Sequence, residues 1–327
     1  MKIGLWSDAV NFPSLPLMKL SAYHIASGDT VKLIDDRKER FDIAYCSQTF
    51  HLPGVRKIPR LDFTPNADTV YYGGSGRAIT IENGKEVYDK ANDPPLPYEI
   101  EHIAPDYELY PHLTQNIAYG FLTRGCPNSC GFCLASGKEG CKSVQIADLG
   151  EFWHGQHEIK LLDPNILACT ERERLLQTLI ASKARIDYTQ GIDARFVDTN
   201  TAELLSQTKI KMIHFAFDLM KHEKAIIRGL QTFAKYSSMT DRNQKVYVLT
   251  NYNTTHAEDW YRVQKVIELG YQPDVRIYQK GTHDRFLTDL SRWANLSQIY
   301  RSCRFEEYIP RKDGKSCGQL YQKILRR

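Results

Sequence analysis

Three cysteines, Cys126, Cys130 and Cys133, fall within the run Gly125-Cys126-Pro127-Asn128-Ser129-Cys130-Gly131-Phe132-Cys133, a C-x3-C-x2-C spacing. Three thiolates this close can ligate three corners of a cubane iron–sulfur cluster and leave the fourth iron open. An open iron is a place for chemistry, whereas a fully ligated cluster stores or passes electrons. The proline, asparagine and two glycines of the run suit a tightly wrapped loop rather than a core element. Zinc is the alternative metal. It would need a fourth ligand, for which Cys141, His154 and His157 are the downstream candidates. A disulfide framework fits less well. The chain has 8 Cys in 327 residues, its opening residues Met1–Asp8 are too short in apolar length for a secretory leader, and clustered thiols without one read as metal ligands.

The run resembles the radical S-adenosylmethionine (SAM) superfamily, in which C-x3-C-x2-C carries an aromatic residue just before the third cysteine, here Phe132. The resemblance implies that Cys126, Cys130 and Cys133 hold a 4Fe-4S cluster and that SAM chelates its open iron. One-electron reduction would then split the sulfonium C–S bond to methionine and a 5′-deoxyadenosyl radical. A reducing partner such as flavodoxin or ferredoxin is implied as well. The substrate class stays open among nucleic acid, peptide and small metabolite.

These residues need a frame that brings them together. From Ile117 onward strand-like and helix-like runs alternate. Strands are expected at Ile117–Leu122, Glu158–Leu162, Ile186–Ile192, Met212–Phe217, Lys245–Thr250 and Asp274–Tyr278. Helices are expected at Glu171–Ala184, Thr201–Gln207, Lys221–Tyr236, Ala257–Leu269 and Asp284–Ile299. Strand then helix, six times, makes a partial (βα)6 TIM-type barrel with its active site at the C-terminal strand ends. The cysteine run follows the first of these strands directly. The other strand ends carry Asp163 and Asn165, then Asp193 and Arg195, then Asp218, then Thr250 and Asn251, then Tyr278-Gln279-Lys280. On the resemblance, Phe132, Asp163, Asn165, Asp193, Arg195, Asp218 and Asn251 would contact the cofactor. Asp163 and Asn165 would accept from the SAM ammonium, Arg195 would pair its carboxylate, and Asp193 would bind a ribose hydroxyl. The plainer readings are an Asp-Pro-Asn turn and an Asp193–Arg195 surface pair.

The chain before the barrel reads as a smaller α/β unit of Rossmann or flavodoxin type. Strands are expected at Lys2–Trp6, Val31–Ile34, Ile43–Cys46 and Val70–Tyr72, with a helix over Leu17–Ser27. Gly73-Gly74-Ser75-Gly76 reads as a turn, and Asn83-Gly84 as the turn of a hairpin spanning Ile79–Tyr88. The domain boundaries follow: 1–91 for this unit, 92–112 for a proline-rich linker, 113–282 for the barrel and 283–327 for a helical extension. The first unit resembles the cobalamin-binding-like domain that precedes many radical SAM barrels. The D-x-H-x-x-G signature is missing, because Asp8-Ala9-Val10-Asn11-Phe12 has no histidine. A domain that packs on the barrel and shapes its site is therefore expected ahead of a cobalamin site.

A net charge of +4 is mildly basic and assigns no partner. No stretch reaches the roughly 20 apolar residues of a membrane span, so a cytoplasmic, membrane-free protein is expected. Cys46, Cys141, Cys169, Cys303 and Cys317 have no cluster spacing among themselves, and a single cysteine in the first domain argues against a methylthiotransferase. Arg326-Arg327 reads as a solvated end. Two rivals to the radical SAM reading remain, a zinc-stabilised nucleic-acid-binding protein and an electron-transfer iron–sulfur protein. Each needs a fourth protein ligand.

Overall fold

The computed structural model describes residues 1–50, 63–82, 85–278, 284–312 and 314–325. The hairpin turn Asn83-Gly84, the rim residues Gln279-Lys280 and the terminal Arg326-Arg327 lie outside the described residues. The chain divides into two compact units, Met1–Asp163 and Pro164–Arg327.

The first unit opens with a parallel sheet of β1 (Lys2–Ser7), β2 (Thr30–Leu33), β3 (Phe41–Ser47) and β4 (Ala67–Gly73), in the order β2-β1-β3-β4. Ile3 and Leu5 alternate onto one face of β1 and are fully buried. Leu17 and Leu20 of the helix Leu15–Ala26 cover them, with Val31, Leu33, Ile43 and Ile100 packed around. Full burial of each such side chain is worth about 1.5–3 kcal/mol. Pro16 suits the first turn of that helix, where its missing N–H costs nothing. Gly28, at φ +81°, takes the left-handed position that ends it. An antiparallel pair, β5 (Ile79–Glu82) and β6 (Lys85–Tyr88), follows as the alternation around Asn83-Gly84 predicts. The unit closes with β7 (Ile117–Gly120), the two-residue antiparallel ladder of β8 (Thr123–Arg124) and β9 (Val144–Gln145), and β10 (Glu158–Leu161), which pairs β7 in parallel.

The second unit carries β11 (Arg185–Ile192), β12 (Lys209–Ala216), β13 (Gln244–Thr250) and β14 (Gln272–Ile277), with the helices Arg172–Ser182, Thr199–Gln207, Glu223–Tyr236 and His256–Glu268 between strands. All six later strands form one parallel sheet in the order β14-β13-β12-β11-β10-β7. Each connection steps to the next position in the same direction, and right-handed crossovers that all step one way leave their helices on one face. Within this unit Phe215 of β12 meets Phe233 of the helix Glu223–Tyr236 at 5.1 Å, and Val246, Val248 and Val275 are buried. The alternate positions are polar: His214, Lys245, Tyr247, Asp274 and Arg276.

Among the described residues the sheet has open edges at β7 and β14, so it is a six-stranded parallel α/β sheet with no closed barrel. Two helix expectations change. The first strand-helix repeat lacks its long helix. Between β7 and β10 the longest helix is Ala135–Glu139, of 5 residues, because the glycine- and cysteine-rich run has no apolar stripe to bury. The expected helix Asp284–Ile299 is interrupted as well. Asp284 is its N-cap, and the helix runs Arg285–Asn295 before a second starts at Ser297. Asn295 pins its C-terminal end to β14, accepting from the Val275 amide at 2.7 Å and donating to the Val275 carbonyl at 2.8 Å.

Gly229 shows how tightly the helix Glu223–Tyr236 seats. A Cβ built there would lie 1.8 Å from the Ala194 carbonyl oxygen. Helix propensity alone favours Gly229→Ala by about 1 kcal/mol, but the clash with backbone should reverse the sign. We expect a net loss of roughly 1–3 kcal/mol, read as a lower urea midpoint at unchanged slope.

Candidate functional site

The cysteine loop leaves β8 through a narrow neck. Gly125 sits at φ +90°, and a Cβ there would fall 1.9 Å from the Lys142 carbonyl oxygen, so only glycine fits. Cys126 donates its amide to the Gly140 carbonyl at 2.9 Å, and the β8–β9 ladder closes the base. Inside the loop Ser129 takes φ +39° and the Cys133 amide donates to the Cys130 carbonyl at 2.9 Å. Cys126, Cys130 and Phe132 are half-buried and Cys133 is exposed. The Ala135 amide donates to Cys133 Sγ at 3.5 Å. Among the described residues no group of three or more His, Cys, Asp or Glu side chains stands at metal-holding geometry. The donor set therefore fits a three-thiolate ligand by residue type and by its place on one wrapped loop, and not by a preassembled cage. Cys141 is exposed and its thiol points toward the Ser136 carbonyl at 4.0 Å.

Asp163, at the end of β10, is buried beneath this neck. Its carboxylate accepts from the Thr123 amide at 2.5 Å, the Thr123 hydroxyl at 2.7 Å and the Leu122 amide at 3.2 Å. Burial pushes its pKa up to about 6 against the pull of these donors. The side chain expected to meet a cofactor ammonium thus already ties β10 to the segment that feeds the cysteine loop.

The second unit gathers the other candidates at the C-terminal ends of its strands. Asn165 donates to Asp193 at 3.4 Å. Asp193 caps the turn Ala194–Phe196 by accepting from the Arg195 amide, and its two oxygens take Arg195 Nε at 2.8 Å and Nη2 at 2.7 Å. This fork-on-carboxylate pair is part-buried. Asp218 lies near both. Burial raises its pKa to about 6; the Leu249 amide at 3.0 Å and Arg262 pull it down, Asp193 pushes it up. Asn251, at φ +64°, donates from its side chain to the Tyr278 carbonyl at 3.0 Å and so joins the ends of β13 and β14. Thr250 bonds the Arg276 carbonyl at 3.3 Å, and Tyr278 meets Tyr252 edge-on at 5.0 Å.

Sequence reasoning missed three residues here. His222 has a lowered pKa, from burial first and then from the charges of Arg195 and Lys221. Arg262 and Asp259 are fully buried and paired at 2.5 Å. Arg262 Nη1 donates to the Phe217 and Asp218 carbonyls, both at 2.8 Å, and Nη2 to the Leu249 carbonyl at 2.7 Å. A capping box of Thr255 and Glu258 starts the helix His256–Glu268, but nothing in the helix's pattern marks an arginine as inward.

The raised pKa of Asp218 has a signed consequence. An acid titrating near 6 when folded and 3.8 when unfolded contributes stability that is complete below 3.8 and lost as pH rises through 6. The stability of the wild type relative to Asp218→Asn should therefore fall by up to about 3 kcal/mol between pH 4 and pH 7, as followed by urea denaturation at stepped pH. A flat difference would mean that folding leaves the Asp218 pKa unshifted.

No protein-family model matches the chain, and no curated protein matches it.

Proposed function

We propose that this chain is a radical SAM enzyme, and the observation that carries the reading is the C-x3-C-x2-C run on the segment between the first two strands, β7 and β10, of the six-stranded parallel sheet. Cys126, Cys130 and Cys133 would hold a 4Fe-4S cluster. Bound there with SAM, such a cluster supplies reductive cleavage of the sulfonium to methionine and a 5′-deoxyadenosyl radical. The consecutive strand order supports the partial-barrel form of the fold, since a barrel is assembled from neighbours in sequence.

The chain's own residues would bind and orient. Gly125 lets the loop turn tightly, and the Ala135 amide supports the Cys133 sulfur. Arg195 would take a carboxylate through its planar fork while Asp193 fixes its direction. Asp218 and Asn251 would line the same rim, with Asn165 behind Asp193. Asp163 would serve as a strut for the loop's entry. Flavodoxin or ferredoxin would deliver the electron. The first sheet would act as a packing domain: Asp8 stands where a cobalamin signature would begin, yet its buried carboxylate is taken by the Thr49 and Phe50 amides at 2.7 and 3.0 Å. Among the described residues no helix is long and apolar enough to cross a membrane.

Anaerobic reconstitution with iron and sulfide, then dithionite and SAM, tests the reading. Wild type should bind about four irons per chain and release 5′-deoxyadenosine. Cys126→Ala, Cys130→Ala and Cys133→Ala should each abolish the product, while Cys141→Ala keeps it. Stoichiometric zinc without iron would establish the zinc rival. A bound cluster lost in Cys141→Ala, with no deoxyadenosine, would establish electron transfer.

A further inference from the structure

We infer that the N-terminal sheet and its helix are the clasp of the cysteine loop, acting through two ion-pair arms that meet at Arg124 and Glu139. Arg124 stands two residues before Cys126 and Glu139 six residues after Cys133. Arg124 Nη1 donates to Glu139 Oε2 at 2.7 Å, so one pair spans both ends of the loop. The first arm starts on the helix Leu15–Ala26. Lys19 pairs with Glu101 Oε1 at 3.1 Å and also donates to the Glu101 carbonyl, and the same Oε1 accepts from Arg124 Nη2 at 3.0 Å. The second arm starts at the C-terminal end of β4. Lys138, adjacent to Glu139, donates to Ser75 Oγ at 2.6 Å and stands 3.9 Å from Asp93. Asp93 in turn accepts from the Gly74 amide at 3.0 Å and the Tyr88 hydroxyl at 2.7 Å.

Three features separate this network from ordinary surface pairing. Its three cations, Lys19, Arg124 and Lys138, balance its three carboxylates, Asp93, Glu101 and Glu139. Its centre is half-buried, with the Glu139 side chain 8% exposed, that of Lys19 12% and that of Arg124 28%, so solvent screens it less than it would a surface pair. Arg124 is also fixed in direction, its guanidinium 4.3 Å above the Phe121 ring. The Gly73–Gly76 run gains a purpose here. A Cβ on Gly74, at φ +99°, would fall 2.3 Å from the Gln48 carbonyl oxygen, and this close approach sets Ser75 in reach of Lys138.

Arg124 and Glu139 are thus positioning residues. They touch no ligand; they hold the ends of the segment that carries Cys126, Cys130 and Cys133. The inference rests on the radical SAM reading only for what the loop holds. Its test therefore uses metal-free, reduced, full-length protein, with alkylation of each cysteine followed by mass spectrometry. Arg124→Met and Glu139→Gln should raise the alkylation rates of Cys126 and Cys130 about tenfold, by easing local opening of the loop, while buried Cys317 keeps its rate. Arg124→Lys should restore most of the protection. Lys19→Met, distant in sequence from the loop, should raise the same two rates by a smaller factor of about three. Unchanged rates at Cys126 and Cys130 in Arg124→Met and Glu139→Gln would overturn the clasp. An equal rise at Cys317 together with no effect of Lys19→Met would overturn it too, because it would show loss of the fold instead of release of the loop. If the wild type yields no deoxyadenosine but the variants show this alkylation pattern, the radical SAM reading falls and the clasp stands.

Discussion

The second unit depends on one buried guanidinium. The carbonyls that end β12 and β13 point past the last rung of the sheet and find no partner strand. In a dry interior each would cost its full desolvation. Arg262 answers three of them at once, Phe217, Asp218 and Leu249, with its charge offset by Asp259. Asp259 is itself held by the Thr254 hydroxyl at 2.7 Å, just ahead of a capped helix start. Removing one member of such a pair strands a buried charge, a change that typically costs about 3–5 kcal/mol. The arrangement fixes where the backbone of residue 218 goes, and so where the Asp218 carboxylate sits relative to Asp193 and Arg195.

The first unit uses charge differently. There the ionic groups are half-buried, and they restrain a loop instead of completing a sheet. Asp163 and the Arg124–Glu139 pair act on the two sides of the same neck, one from below through amides at Leu122 and Thr123, the other across its ends. A loop rich in glycine has a large conformational entropy to lose, and each of these contacts removes part of it before any ligand arrives.

Strand positions were legible in the sequence to within a few residues, because Val, Ile, Phe and Tyr alternate or run continuously between turn residues in the strands that start at Ile117, Glu158, Arg185, Lys209, Gln244 and Gln272. The cysteine loop was legible from spacing alone. What escaped were properties of three-dimensional closure. The absence of a long helix after β7 could have been suspected from residues 125–143, which offer no apolar stripe. Arg262 could not: on a helix reading Ala257-Glu258-Asp259-Trp260-Tyr261-Arg262, an arginine three residues after an aspartate looks like a solvated pair. The strand-end polar residues were placed correctly on their loops, yet their hydrogen bonds were not readable. Whether a carboxylate is already satisfied, as Asp163 and Asp193 are, depends on which amides the fold delivers to it.

The monotonic order of the six-stranded sheet bears on how the molecule is made. Each strand of this sheet after β7 docks on the sheet strand synthesised before it, so none of them waits for a partner still inside the ribosome. Such contacts are short in sequence, which speeds folding, and domains form in the direction of synthesis. The cysteine loop and all six members of its ion-pair network precede residue 164. The loop can therefore be clasped, and its thiols sequestered, while the second half of the chain is still being translated.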